Sequence, residues 1–222
     1  MTDTARPSRQ LFVTDFDGAL TRNDFFRLVI EAFAPEGMAA NWEGYRAGRL
    51  THFEALRGIF GGIRASEAQL LALLDRAGPP PNLAFWFEAL HASGWEVVVA
   101  SAGCAWYIER ILASCGVAAP VHANPGQFLE GQGLRMELPT GSPYYSSSTG
   151  IDKAAIVRAG QQAGRVVAFA GDGYPDVAAA LLVPAGLRFA RADLALALRR
   201  KRESFVPFEC WTEVARALLS TR

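Results

Sequence analysis

The chain has 222 residues, half of them hydrophobic, with 22 Lys plus Arg against 22 Asp plus Glu; that is enough for one α/β core with an inserted subdomain and short for two independent domains. The balanced charge, with no basic tract or aromatic-interleaved patch, argues against nucleic acid as a partner, and no run approaches the ~20 apolar residues that span a bilayer. Cys104, Cys115 and Cys210 lack metal-ligand spacing and fit a reducing compartment, and the polar start, Met1 to Gln10, points to a cytoplasmic protein.

Leu11, Phe12 and Val13 read as a buried strand that runs into Thr14-Asp15-Phe16-Asp17-Gly18-Ala19. In extended chain Asp15 and Asp17 leave on one side and Phe16 on the other. Two carboxylates so close repel unless they share a cation or a proton. A divalent metal answers that cost; a solvated turn is the simpler alternative.

A helix through Phe33, capped by Asn23 or Asp24, follows, and Pro35 stops it. Further helical patterns cover Gly37 to Ala47, Thr51 to Phe60 and Ser66 to Arg76, with Thr51 and Ser66 as caps. No strand interrupts this insertion, so the expected division is a core of residues 1–22 and 82–222 with a helical cap of residues 23–81. Beyond Pro79-Pro80-Pro81 the pattern alternates: helix Asn82 to Ala92, strand Trp95 to Ala100, helix Cys104 to Cys115, short strand Val121 to Ala123. A helix from about Asp152 to Gln162 leads into strand Val166 to Ala170, helix Tyr174 to Leu182, strand Leu187 to Ala190 and helix Ala192 to Arg200. Such alternation predicts an α/β fold with a doubly wound parallel sheet. Gln127 to Leu138, with Glu130-Gly131-Gln132-Gly133 at its centre, predicts a small β-hairpin.

Ligands of such sheets bind beyond the carboxyl ends of the strands, so the residues after each apolar run are the candidates. Ser101-Ala102-Gly103 offers a hydroxyl and bare amides to an anion at the start of a helix, or simply a cap. Gly171-Asp172-Gly173 lets the chain turn tightly, and Asp176 can return to the same site from the next turn, or merely sit favourably at a helix N-terminus. Lys153, one of two lysines in a chain that otherwise uses arginine, lies in the first turn of a helix, where the dipole opposes it. It is either a required compact charge or a solvated residue.

Taken in order, Asp15-Phe16-Asp17-Gly18-Ala19, Ser101, Lys153 and Gly171 to Asp176 resemble the motifs of the haloacid dehalogenase superfamily of phosphatases, from about Leu11 to Ala190. The resemblance implies a Rossmann-like core and Asp15 as nucleophile, with Asp17 as general acid and then base. It further implies Ser101, Ala102, Gly103 and Lys153 around the phosphoryl oxygens, Mg²⁺ on Asp15, Asp172 and the Asp17 carbonyl, and Asp176 in support. The family usually has Thr or Val at the position of Ala19. The helical insertion is similar to the cap of the phosphoserine-phosphatase-like branch, and residues 33–60 are more loosely similar to the methionine-salvage phosphatases. Those tend to carry cysteines where this chain has Tyr144-Tyr145-Ser146-Ser147-Ser148. The expectation is therefore Mg²⁺-dependent hydrolysis of a small phosphorylated metabolite, such as the salvage intermediate, phosphoserine or phosphocholine. A phosphotransferase and a catalytically degenerate binding protein stay open. Trp42, Tyr45, Arg46, Arg49 and His52, with Tyr144 or Tyr145, are the candidate substrate contacts.

Overall fold

A computed structural model describes residues 9–220; the ends of the expected core, residues 1–8 and 221–222, lie outside them. Strand β1 (Gln10–Thr14) is followed by α1 (Phe25–Phe33), α2 (Met38–Arg46), α3 (His52–Gly61) and α4 (Glu67–Leu71). Then come α5 (Leu83–Ala92), β2 (Trp95–Cys104), α6 (Ala105–Ser114), β3 (Val121–Asn124), β4 (Gly126–Leu129) and β5 (Gly133–Met136). A two-residue ribbon, β6 (Tyr145–Ser146) and β7 (Gly150–Ile151), precedes α7 (Lys153–Gln162) and β8 (Val166–Gly171). The chain closes with α8 (Val177–Ala180), β9 (Arg188–Ala190), α9 (Ala192–Arg200), β10 (Val206–Pro207) and α10 (Trp211–Ser220).

Six strands form one parallel sheet in the order β10-β9-β8-β1-β2-β3. Alternation along β1 sends Phe12 into one core, with Trp95, Val97, Val99, Ile108 and Trp211, and sends Leu11 and Val13 into the other, with Val98, Val157, Phe169 and Leu194. Both faces are covered, as the unbroken apolar runs require. The strand order has a direct consequence for the site. Because β1 lies between β2 and β8, with Thr14 in register with Val99 and with Ala170, the residues that follow these three strands converge at one edge.

The helical insertion differs from the sequence reading in two places. The expected helix from Ser66 to Arg76 breaks after Leu71 and tightens into a 3₁₀ turn at Leu74–Ala77, so that Leu70, Leu73 and Ala77 all reach the core. Asp24 stands at the N-cap position of α1 without capping through its side chain, and it pairs instead with Arg27 at 2.7 Å. Thr51 and Ser66 do cap α3 and α4, each in a reciprocal capping box.

The hairpin appears where expected, as β4 and β5 in antiparallel register. Its buried Leu134 and Met136 join the same core as Phe53, Leu56 and Phe60 of α3. Gly133, at φ +72°, runs so close to the end of α3 that a Cβ would overlap the Phe60 carbonyl oxygen. The ribbon β6–β7 was not foreseen, because a run of serines carries no strand periodicity. It brings the Ser148 carbonyl to the Phe53 amide, 2.9 Å away, so α3 is fastened to the core on this side as well. The expected helix from Tyr174 to Leu182 is a 3₁₀ turn, Tyr174–Asp176, followed by the short α8. The pair β10 and α10 also lies beyond the elements read from the sequence.

Candidate active site

Asp15, the first residue after β1, is buried, and its Oδ1 accepts from the Phe16 amide at 2.7 Å and from Lys153 Nζ at 2.7 Å. Its backbone is held too: the Asp15 amide donates to the Ala170 carbonyl, and Thr14 Oγ1 donates to the Asp15 carbonyl. Trp211 Nε1 in turn donates to Thr14 Oγ1 at 3.0 Å, so α10 braces the strand end from below. Phe16 turns into the core, as alternation predicts.

Lys153 reaches the site from the first turn of α7. Its Nζ lies 2.6 Å from Asp176 Oδ1 as well as 2.7 Å from Asp15. The dipole penalty at this position is met by the two carboxylates and by Asp152, which caps the helix through the Ala155 amide. Burial acts to lower the lysine pKa, and Asp15 and Asp176 together outweigh it, so the ammonium is held charged. Asp176 is fully buried, and its Oδ2 accepts from the Asp172 and Gly173 amides at 3.0 and 2.9 Å. Both its oxygens are thereby engaged, and it orients Lys153 and the loop rather than facing the pocket with a free lone pair.

The Asp172 carboxylate is different. Among the described residues no donor is hydrogen-bonded to it, yet one oxygen each of Asp15, Asp172 and Asp176 lie within 4.8 Å of one another. Burial first, then Asp176, Asp24 and Asp17, push its pKa up to about 8. Asp15 is raised as well, by burial, Asp176 and Asp172 against the pull of Lys153. An acidic cluster with one buried cation and a surplus of like charge, all oxygen donors, fits a hard divalent cation. Gly18, at φ +70°, passes directly against Asp172, and a Cβ there would overlap its carboxylate.

Asp17 stands apart from this cluster. Its Oδ1 accepts from the Phe25 amide at 2.9 Å, so this carboxylate supplies the α1 cap that Asp24 does not. Its Oδ2 accepts from the Tyr107 hydroxyl. Burial and the charge of Asp24 raise its pKa to about 7 against both hydrogen bonds.

The Ser101 region departs from expectation. Strand β2 continues through Cys104, pairing Cys104 with Asn124 after a register shift, and α6 begins only at Ala105. Ser101, Ala102 and Gly103 therefore line the pocket from the end of β2, directly before Cys104, the N-cap of α6, and Ser101 Oγ accepts from the Gly103 amide at 2.9 Å. Asn124 fixes this end by donating to the Ala102 carbonyl and to the Thr149 carbonyl, so it ties the β2 end to the loop that precedes Lys153.

Asp15, Asp17, Ser101, Ala102, Gly103, Tyr107, Lys153, Asp172 and Asp176 line one cavity of about 160 Å³. The helical insertion supplies its far wall: Phe26, Trp42, Tyr45, His52, Leu56 and Phe60, with the Asp24–Arg27 pair. Trp42 packs at a tilt between Phe26 at 4.9 Å and Tyr45 at 5.3 Å, and His52 stands edge-on to Tyr45 at 5.2 Å. Burial and Lys153 push His52 down to about 4, which keeps it neutral. Arg46 and Arg49 are exposed and do not line the cavity, because they point off the solvent side of α2 and its following turn. Tyr144 and Tyr145 are likewise outside it; Tyr144 packs on His122. The residues sequence reasoning missed are Tyr107, whose ring would pass for ordinary core, and Arg27, whose spacing from Asp24 was the available signal.

Residues 12–181 match the family of haloacid dehalogenase-like hydrolases. The chain belongs to this family. Among the relatives of this haloacid dehalogenase-like hydrolase is the 2-hydroxy-3-keto-5-methylthiopentenyl-1-phosphate phosphatase of Microcystis aeruginosa, 26% identical over 92% of this chain and 95% of the relative. The enzyme of the same name from Brevibacillus brevis is 25% identical over 87% and 89%. Solved structures share the fold: a haloacid dehalogenase family hydrolase from Salmonella enterica serovar Typhi superposes with a TM-score of 0.72 at 16% identity, over 97% of this chain and 73% of that one. The phosphoserine phosphatase of T. onnurineus gives 0.67 at 18% identity, over the whole of both chains. No described helix is long and apolar enough to cross a membrane.

Proposed function

We propose that this hydrolase cleaves a small phosphomonoester through a phosphorylated Asp15, with Mg²⁺ as cofactor and with residues 23–81 acting as the cap that shapes the leaving-group pocket. The observation that carries the reading is the buried Lys153 bridging Asp15 and Asp176, 2.7 and 2.6 Å away, beside the carboxylate of Asp172, an oxygen of which lies within 4.8 Å of both. Asp15, Asp172 and the Asp17 carbonyl would hold the metal, which supplies positive charge to the phosphoryl oxygens.

An Asp15 carboxylate oxygen attacks phosphorus, and the bond from phosphorus to the ester oxygen breaks with its electron pair leaving on that oxygen. Protonated Asp17 gives that oxygen its proton; a pKa of about 7 keeps this form available at neutral pH. Water then attacks the phosphorus of phospho-Asp15, Asp17 takes the water proton, and the bond to Asp15 breaks to release phosphate. Lys153 and the Ser101 hydroxyl offset the charge on the phosphoryl oxygens at both steps. The wall of rings and neutral His52 favours an uncharged, partly apolar leaving group. The salvage intermediate named for the relatives has that character and is the first substrate to test, ahead of phosphoserine and phosphocholine.

Phosphate release from 4-nitrophenyl phosphate, with Mg²⁺ and with chelator, tests the reading. Turnover that needs Mg²⁺ and disappears in Asp15→Asn is expected; turnover that survives both treatments overturns it. Transfer to an added sugar hydroxyl would reveal a phosphotransferase, and saturable binding without turnover a binding protein.

A further inference from the structure

We propose that Tyr107 is the positioning residue for Asp17: its hydroxyl, with the Phe25 amide, fixes the carboxyl group in the plane from which it protonates the leaving oxygen. The inference rests on the reading that Asp17 is the acid of a phosphomonoester hydrolase.

Three observations carry it. The Tyr107 hydroxyl donates to Asp17 Oδ2, across 90 residues of sequence, while Oδ1 accepts from the Phe25 amide at 2.9 Å. Two donors on the two oxygens of one carboxylate remove its freedom to rotate about χ2, and the two come from different parts of the fold, α6 of the core and α1 of the insertion. Second, the phenol is itself immobile. The ring is 1% exposed and stacks on Phe25 at 4.3 Å, with Phe60 at 6.0 Å and Phe16 at 6.2 Å. Third, the backbone makes room for this pair. A Cβ at Gly103 would overlap the Tyr107 hydroxyl and stand 2.9 Å from Asp17 Oδ2, so glycine is needed there for the contact to form. Phosphate binding alone asks only for the Gly103 amide, which every residue except proline has.

A buried tyrosine needs a hydrogen-bond partner wherever it lies, and a structural role would be satisfied by any acceptor. The distinguishing consequence is dependence on the leaving group. Cleaving an alkyl phosphate requires a proton from Asp17 at the departing alkoxide, whereas 4-nitrophenolate is stable enough to leave with little help. A misplaced Asp17 therefore slows the first step for alkyl esters and spares it for the aryl ester.

The experiment is single-turnover formation of the phosphorylated enzyme by wild type and Tyr107→Phe, with 4-nitrophenyl phosphate and with an alkyl phosphate that wild type turns over. Phe preserves the ring stack, and thermal unfolding checks that the fold is kept. The variant is expected to lose about tenfold or more with the alkyl ester at nearly constant KM, and no more than about twofold with the aryl ester. Equal losses on both esters, or none, overturn the proposal with the phosphatase reading intact. A wild-type enzyme that forms no phosphorylated species from either ester overturns that reading, and the role of Tyr107 with it.

Discussion

Without metal, the carboxylate cluster should make this protein less stable as pH rises through neutrality. Asp172 is raised to about 8 and Asp15 well above its ordinary value, mainly by burial and mutual repulsion. A carboxyl whose folded pKa exceeds the unfolded one keeps a proton that the unfolded chain releases. The folded state is therefore favoured at low pH, and the advantage is lost between the unfolded pKa near 4 and the folded one near 8. From pH 6 to pH 8, over which the folded group gives up half its proton, one such carboxyl costs about 2 kcal/mol, or roughly 4–8 °C in a chain of this size. Asp17, raised to about 7, adds in the same direction over the lower part of the window. His52, lowered to about 4, acts oppositely, but its contribution is complete above its unfolded pKa near 6.5 and does not cancel the trend. Mg²⁺ removes the repulsion, so its stabilising effect should grow with pH. The assay is thermal unfolding with chelator and with millimolar Mg²⁺ at pH 6, 7 and 8. The control is Asp172→Asn, which should flatten the metal-free slope and abolish the Mg²⁺ effect. A metal-free melting temperature that stays level or rises from pH 6 to pH 8, or equal stabilisation by Mg²⁺ across it, would refute the reasoning.

Gly18→Ala places a side chain at φ +70° against Asp172; about 1 kcal/mol of backbone strain and a weaker apparent Mg²⁺ affinity are expected, read by metal titration of activity. Lys153→Met leaves Asp15 and Asp176 without their cation, and a loss of about 3–5 kcal/mol should appear in denaturant unfolding at pH 8, easing at lower pH as the carboxyls protonate. Tyr45→Ala removes part of the ring wall and should raise KM for an organic phosphomonoester, while Arg49→Ala, outside the cavity, should leave it within about twofold. Thr51→Ala breaks the α3 capping box and should cost about 1 kcal/mol in unfolding without changing the Mg²⁺ requirement.

Ala19 illustrates how the structure answers a question that the sequence poses. A larger residue was expected there to support the loop after Asp15. The loop is instead closed by Thr21, whose amide and hydroxyl both donate to the Phe16 carbonyl at 2.9 and 3.1 Å, with Ala19 buried beneath.

The sequence by itself determined the elements whose signals are local: the apolar runs of β1, β2 and β8, the caps at Thr51 and Ser66, the hairpin between Phe128 and Leu134, and the polar residues that stop each strand. It thereby pointed to Asp15, Ser101 and Asp172, since a parallel sheet must bring its carboxyl ends together, and the resemblance added Lys153 and Asp176 to them. Only the tertiary structure decided how they divide the work. That Lys153 serves both Asp15 and Asp176 and that Asp17 is shared between Phe25 and Tyr107 both depend on contacts between segments 8 to 138 residues apart. Tyr107 and Trp211 were invisible for the same reason. An aromatic residue on a helix reads as core at any position, and only the packed fold shows which buried hydroxyl or indole N–H has a loop carboxylate or a strand-end hydroxyl as its partner.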